Sequence, residues 1–315
     1  MSVMRMQATG ELLTLVDPRQ AARVRIRLAA AGHTPTMAEQ QSTWQLQCTF
    51  QQSPPSTLLW LLECDDPVLN TALFHVRALG DAIRRDILAG VPFDSARTEP
   101  VPVTDELRAV EHGRGRDQLF DLPPQTAAEL IPKLRAAGAA RRPKTCRSLA
   151  RAVPRAEWGL VAEADAREPL PGYARWALAC HVNCPQPLRS RFGDHPKFAH
   201  RLRQAGVLVD VEDYLTGQSA ARALVSLGAL LRSDSTRGRR VREELTLLVR
   251  EQLGGHVEAW AVLAQLQPTF SGTLPELIVT ASAIAGPPPA DELEEDEAGE
   301  TYGRERRAPA GIEPA

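Results

Sequence analysis

The chain has 315 residues, a hydrophobic content of 43%, an aromatic content of only 5% and a formal net charge of −2. That length allows one large domain or two smaller ones with a sizeable core. Its longest aliphatic run, around Leu58–Leu62, is far too short to span a bilayer. Its five cysteines are an odd set without paired spacing, which argues against a disulfide framework and for a reducing compartment. No apolar signal-peptide core is evident between Met1 and Ala31. The expected location is cytoplasmic, with no membrane among the partners.

Taken in order, the first 20 residues are weakly patterned. Ala21–Ala31 suits a helix, although Val24, Ile26 and Leu28 alternate as in a strand. Trp44, Leu46, Cys48 and Phe50 alternate too, but so helical a neighbourhood favours helix. Ser53-Pro54-Pro55-Ser56 is a break before a buried helix over Leu58–Glu63. Asp66 is placed to cap a helix with Pro67 at its first position, and Leu69, Ala72, Leu73 and Val76 line one face. A turn at Leu79-Gly80-Asp81 leads to Ile83 and Ile87, with Gly90 as the stop. Gly90–Thr104 reads as a linker rich in proline. Thr104–Glu111 is a short helix, broken at Gly113-Arg114-Gly115. Ala127–Ala137 is helical, with Pro132 expected to kink it or to mark a boundary. Cys146–Val153 and Arg155–Ala164 form a further pair.

Tyr173–Gly206 reads as three short helices joined by proline-marked turns. Tyr173, Trp176, Ala177 and Cys180 share one face. Leu188 and Phe192 share the next, and Phe198, Leu202 and Ala205 the third. Val207–Val211 is a candidate extended run. Amphipathic helices follow through Ala220–Leu231, through Val241–Val249 to a stop at Gly254-Gly255, and from Val257 to before Pro268. Thr273-Leu274-Pro275-Glu276 has capping-box spacing for a last helix through Leu277, Ile278, Ala281 and Ile284.

From Gly286 the composition changes. Asp291–Glu300 holds seven carboxylates in ten residues, too charged and too poor in apolar residues to offset its ordering entropy. The segment from Gly286 has nine acids and three bases, net −6, which leaves about +4 for residues 1–285. The expected organisation is an N-terminal helical region over 1–95, a linker-like segment over 96–123, a helical-repeat domain over 124–285 and a disordered acidic tail over 286–315.

The stretches around Leu73 and Leu178 share a layout. Ala72-Leu73, Ile83-Arg84 and Ile87 stand opposite Ala177-Leu178, Leu188-Arg189 and Phe192 at a constant offset of 105 positions. The pattern ALxxxxxxPxxLRxxF, followed by His195-Pro196, resembles the short-helix units of leucine-rich-variant and HEAT-like α-repeat proteins. It covers about a fifth of the chain well. The resemblance implies an all-α fold of short helical hairpins stacked as an irregular α-solenoid, and a concave face that binds protein or nucleic acid.

Two constellations bear on chemistry. Cys180, Cys184, His195 and His200 read C-x3-C-x10-H-x4-H, close to the ligand order of a zinc finger with a shortened spacer. Cys180 shares the apolar face with Trp176, and Pro185, Pro187 and Pro196 interrupt the layout a finger needs. Core packing is therefore the expected role, and no metal or cofactor is expected. The second is basic. Leu130–Ala156 holds eight bases and no acid: Lys133, Arg135, Arg141, Arg142, Lys144, Arg147, Arg151 and Arg155. Arg232, Arg237, Arg239, Arg240 and Arg242 form a second group. Clustered arginine suits phosphate, and Arg135, Arg141, Arg142, Lys144, Arg147 and Arg151 are the candidate contacts for a polyanion or partner; the plain alternative is a solvated helix face or a docking site for the acidic tail. No aromatic residue interleaves between Leu130 and Ala156, so a stacking platform for single strands is missing.

There is no G-x-S-x-G elbow, Walker A loop or H-E-x-x-H helix. Glu63, Asp65 and Asp66 sit where a helix cap belongs. His75 and His181 are expected in solvent or satisfied in the core, and Trp60, Trp158, Trp176 and Trp260 on core stripes. The leading expectation is a non-catalytic interaction protein that binds a protein partner. The alternatives are nucleic-acid binding through the arginine face, and a zinc protein or enzyme using the Cys/His set. The sequence leaves the oligomeric state open.

Overall fold

The computed structural model describes residues 9–30, 32, 43–51, 53, 55–114, 119–193 and 210–288. Among the described residues every regular element is a helix, as expected. They run α1 Pro18–Ala30, α2 Thr43–Phe50, α3 Pro55–Leu62, α4 Pro67–Phe74, α5 Asp81–Leu88, α6 Asp105–Arg114, α7 Ala127–Ala139 and α8 Pro143–Arg151. Then come α9 Trp158–Arg167, α10 Gly172–Ala179, α11 Gln186–Gly193, α12 Val211–Thr216, α13 Ala220–Arg232, α14 Thr236–Gln252, α15 Val257–Leu266 and α16 Leu274–Ala285. None is long and apolar enough to cross a membrane.

The local signals act as their chemistry requires. The Asp66 carboxylate accepts from the N–H groups of Val68 at 2.8 Å and Leu69 at 2.9 Å, and Pro67 opens α4. Thr273 and Glu276 form the expected capping box of α16, with Thr273 N donating to Glu276 Oε2 at 2.8 Å. A second capping box, Thr126 with Glu129, starts α7. There the Glu129 carboxyl is held below its usual range by bonds from the Thr126 N–H and hydroxyl. The alternating stretch at Trp44–Phe50 is helical, as α2. Pro132 is not a boundary: α7 runs through it, with the ring on the exposed side. Val211 opens helix α12, and the rest of the candidate extended run, 207–210, has no described helix or strand; 207–209 lie outside the described residues. So do the third helix of the 173–206 stretch and the acidic tail from 289 on.

The chain forms two compact units, each assembled from separated stretches. The first takes its described residues from 1–39, 218–228 and 241–315, the second from 40–217 and 229–240. In the first unit α15 packs on both α16 and α1. Trp260 is fully buried there, and its Nε1 donates to the Gly254 carbonyl at 3.0 Å. Thr9 donates to Gln267 at 3.1 Å and Arg250 to the Leu15 carbonyl at 3.1 Å, tying the start of the described chain to the last helices.

The second unit holds two apolar clusters. One gathers Phe50, Leu58, Leu61, Leu73, Ile83, Ile87, Leu107 and Leu119 from α2–α6 and their connections. The other gathers Leu130, Leu134, Cys146, Leu149, Trp158, Val161, Leu178, Leu188 and Phe192 from α7–α11. The proline-rich connection after α5 is packed down: Phe93 and Val101 are buried, and Phe93 N and Asp94 N both donate to the Asp65 carboxylate. Asp65 itself sits at a φ of +50°.

The 105-residue offset holds in three dimensions at the level of each hairpin. α4 and α10, and likewise α5 and α11, begin and end at equivalent positions. Arg84 Nε donates to the Phe74 carbonyl at 2.9 Å, and Arg189 Nε donates to the Ala179 carbonyl at 3.0 Å. One arginine in the second helix thus caps the end of the first helix in both copies, satisfying an otherwise orphan carbonyl.

Gly80, in the turn of the first hairpin, has a φ of +82°, and a Cβ added there would lie 2.8 Å from both Cβ and O of Arg151. Gly80→Ala is expected to cost about 2 kcal/mol, from backbone strain plus the forced shift of the α8 terminus. A urea titration followed by circular dichroism measures it.

Candidate functional site

The basic stretch separates into structural and exposed cations once it is folded. Arg135 is half-buried and donates to the carbonyls of Ala164, Glu168 and Pro169, with the Glu168 carboxylate 3.4 Å away. It closes the C-terminus of α9. Arg155 reaches the carbonyls of Pro92 and Phe93 and lies 4.2 Å from the Phe93 ring centroid, with Asp86 at 4.0 Å. Burial pushes the Asp86 carboxyl up and Arg155 opposes it. Lys133 donates to Gln125 at 2.6 Å.

The five that remain are Arg141, Arg142, Lys144, Arg147 and Arg151. All are exposed, and none makes an ion pair among the described residues. They are held together by one short helix. Cys146, Leu149 and Ala150 form the buried side of α8, which packs on α7 and α10. Lys144, Arg147 and Arg151 recur at three- and four-residue spacing on the other side. Arg141 and Arg142 sit in the turn just before it, Arg141 at a φ of +53°. Arg147 lies 5.6 Å from the centroid of the half-buried Trp176 ring, which positions its guanidinium.

The electrostatics of this helix are unfavourable in isolation. A helix N-terminus carries partial positive charge and favours anions. Here the first turn has no acidic residue, the N-cap Arg142 makes no side-chain cap, and the cations Arg141, Arg142 and Lys144 cluster at that end. An acidic ligand on this face would relieve that repulsion. The second arginine group is divided. Arg237 pairs with Glu63 and lies 4.6 Å from the Trp60 ring centroid, and Trp60 stacks on Tyr214 at 5.3 Å. Arg239 and Arg240 are exposed.

Of the Cys/His set, only the cysteines are described. Cys180 is the half-buried C-cap of α10. Cys184 is buried, its Sγ 3.8 Å from the Pro185 carbonyl, and burial pushes its thiol up to about 12. It packs as a small apolar residue. His195 and His200 lie outside the described residues. Among the described residues no three potential ligands come together in a way that could hold a metal.

The acidic cluster is likewise divided by role. Asp66 caps α4, Asp65 takes the Phe93 and Asp94 N–H groups, and Glu63 binds Arg237. Burial raises the Glu63 carboxyl, opposed by Arg237. Of the two histidines expected in solvent or satisfied in the core, His181 is in the core but only partly satisfied. His181 is buried at 5% exposure, with Nδ1 bonded to Asn183 Oδ1, its pKa lowered by burial to about 4, and no partner for Nε2. Its signal was available in the repeat, where the matching residue is Val76. Compared with protein-family models, with curated proteins and with solved structures, the chain matches none of them.

Proposed function

We propose that this is a non-catalytic helical interaction protein whose α8 face docks an acidic segment of a protein partner. The observation that carries the reading is the set of five exposed cations, Arg141, Arg142, Lys144, Arg147 and Arg151, on one nine-residue helix and its leading turn, without carboxylate partners among the described residues. Five surface cations held together without counter-charge are repulsive, and an acidic partner removes the repulsion on binding. The equivalent hairpins α4–α5 and α10–α11 support a HEAT-like repeat as the scaffold that presents this face.

Nucleic acid is the second reading, favoured by the arginine content of the same face. A nine-residue helix spans only about 14 Å. That is short for a backbone track, and Arg147 lies over the neighbouring Trp176 ring. A protein segment carrying a few carboxylates fits the face better.

The test uses the full chain with a labelled poly-glutamate peptide and, in parallel, a duplex oligonucleotide of equal charge. The peptide is expected to bind, with affinity falling as salt rises. The combined substitution Lys144→Ala, Arg147→Ala and Arg151→Ala is expected to weaken binding at least about ten-fold at unchanged helical content. Peptide binding that ignores these substitutions overturns the reading. Binding of the oligonucleotide alone puts nucleic acid in its place.

A further inference from the structure

The two equivalent hairpins differ at one core position. Val76 in the first is matched by His181 in the second, and both are buried, at 2% and 5% exposure. The same turn of the same hairpin therefore packs with a plain aliphatic side chain. An imidazole is not a requirement of the fold there, and burying one costs free energy unless its polar atoms are satisfied. Only one of them is. Nδ1 meets Asn183 Oδ1, while Nε2 is sealed from solvent without a hydrogen-bond partner.

The surroundings leave a second proton nowhere to go. The Trp158 ring at the start of α9 stands 6.2 Å from the imidazole, centroid to centroid. Among the described residues the charged groups that act on it are Arg151 from α8 and Arg189 from α11, both cationic, with no carboxylate opposing them. Arg189 also clamps the turn itself, donating to the carbonyls of Ala179, His181 and Val182 at 3.0, 2.9 and 3.1 Å.

We infer that His181 is an acid-sensitive latch on the α10–α11 hairpin. Neutral, it packs as a core residue. Once it takes a second proton, the Cys180–Pro185 turn must open for the imidazolium to reach water, and the hairpin loosens from α8. The inference stands apart from the docking of an acidic partner and does not need it.

The direction follows from linkage. Burial lowers the pKa of His181 from the usual 6.5 to about 4 in the closed hairpin. Below pH 6.5 the open form binds a proton that the closed form does not. The closed form therefore loses stability as pH falls from about 6.5 to about 4, and this group adds no further loss below that. At pH 5 opening is favoured about thirty-fold over its level at pH 7.5.

Hydrogen exchange on the full chain at pH 7.5 and pH 5.0, corrected for intrinsic rates, tests this. Amides of α10 and α11 are expected to lose about thirty-fold in protection, while those of α4 and α5 change by no more than a few-fold. His181→Val, which installs the residue of the first hairpin, is expected to abolish the difference. The wild-type imidazole, followed by NMR, is expected to titrate far below the usual histidine range. The inference is overturned if both hairpins open in parallel, if His181→Val keeps the acid response, or if the folded-state imidazole titrates near 6.5.

Discussion

Asp165→Ala is expected to lower the unfolding free energy by about 3 kcal/mol. The Asp165 side chain of the second unit is only 1% exposed. One of its oxygens accepts from Leu170 N at 2.8 Å and Arg175 Nε at 2.8 Å, and the other from Arg175 at 2.9 Å, with Arg191 3.3 Å away. The carboxylate thus joins α9 to α10 and α11. Truncation strands the Leu170 N–H beside a buried leucine and removes the anion that neutralises two guanidiniums. Both guanidiniums are partly exposed, 29% for Arg175 and 44% for Arg191, so water screens their loss. That is why the expected cost stays near the lower end for a broken buried pair. Asp165→Asn keeps an acceptor for Leu170 N and should cost about half as much. Equilibrium urea unfolding of both variants checks the order; equal stability of wild type and Asp165→Ala would show that the network contributes nothing.

Arg189→Ala is expected to be comparably damaging, at about 3 kcal/mol, because the carbonyls of Ala179 and Val182 lose this donor together and that of His181 keeps the Cys184 N–H at 3.1 Å in its place. Lysine cannot restore them, since one ammonium does not reproduce the planar fork. Arg189→Lys should therefore recover well under half of the loss. The equivalent Arg84→Ala has a milder expected effect. Arg84 gives the Phe74 carbonyl a bond at 2.9 Å and also reaches Asp81 at 3.2 Å and the Phe74 and Phe120 rings. Thermal unfolding of the pair decides it; an Arg84→Ala loss as large as that of Arg189→Ala would mean that the extra carbonyls carry no weight.

Much of the architecture was legible in the chain because it is written in short-range chemistry. Asp66-Pro67 and Thr273-Leu274-Pro275-Glu276 start helices through side chains that reach no further than three residues. Gly90 ends one because it reaches a φ of +66° without a Cβ penalty. The apolar faces at Leu69–Val76 and Leu188–Phe192 had the right period, and the 105-residue offset was visible as matched residues. Helix against strand at Trp44–Phe50 could not be settled by periodicity, because seven residues fit either; packing of α2 against α4 settled it.

What remained hidden depends on partners distant in sequence. Eight bases between Leu130 and Ala156 look alike in one dimension. Only the fold sends Arg135 to the end of α9 and Arg155 to Phe93, and leaves Arg141, Arg142, Lys144, Arg147 and Arg151 outward. His181 is the same lesson from the core. Sequence left it in solvent or satisfied in the core, but its burial and the two neighbouring arginines, from α8 and α11, come from the fold. Local chemistry determined which segments of this protein are helices and where they stop. Tertiary structure decided which charges are satisfied, because hydrogen-bond and ion-pair partners are selected by proximity in space rather than along the chain.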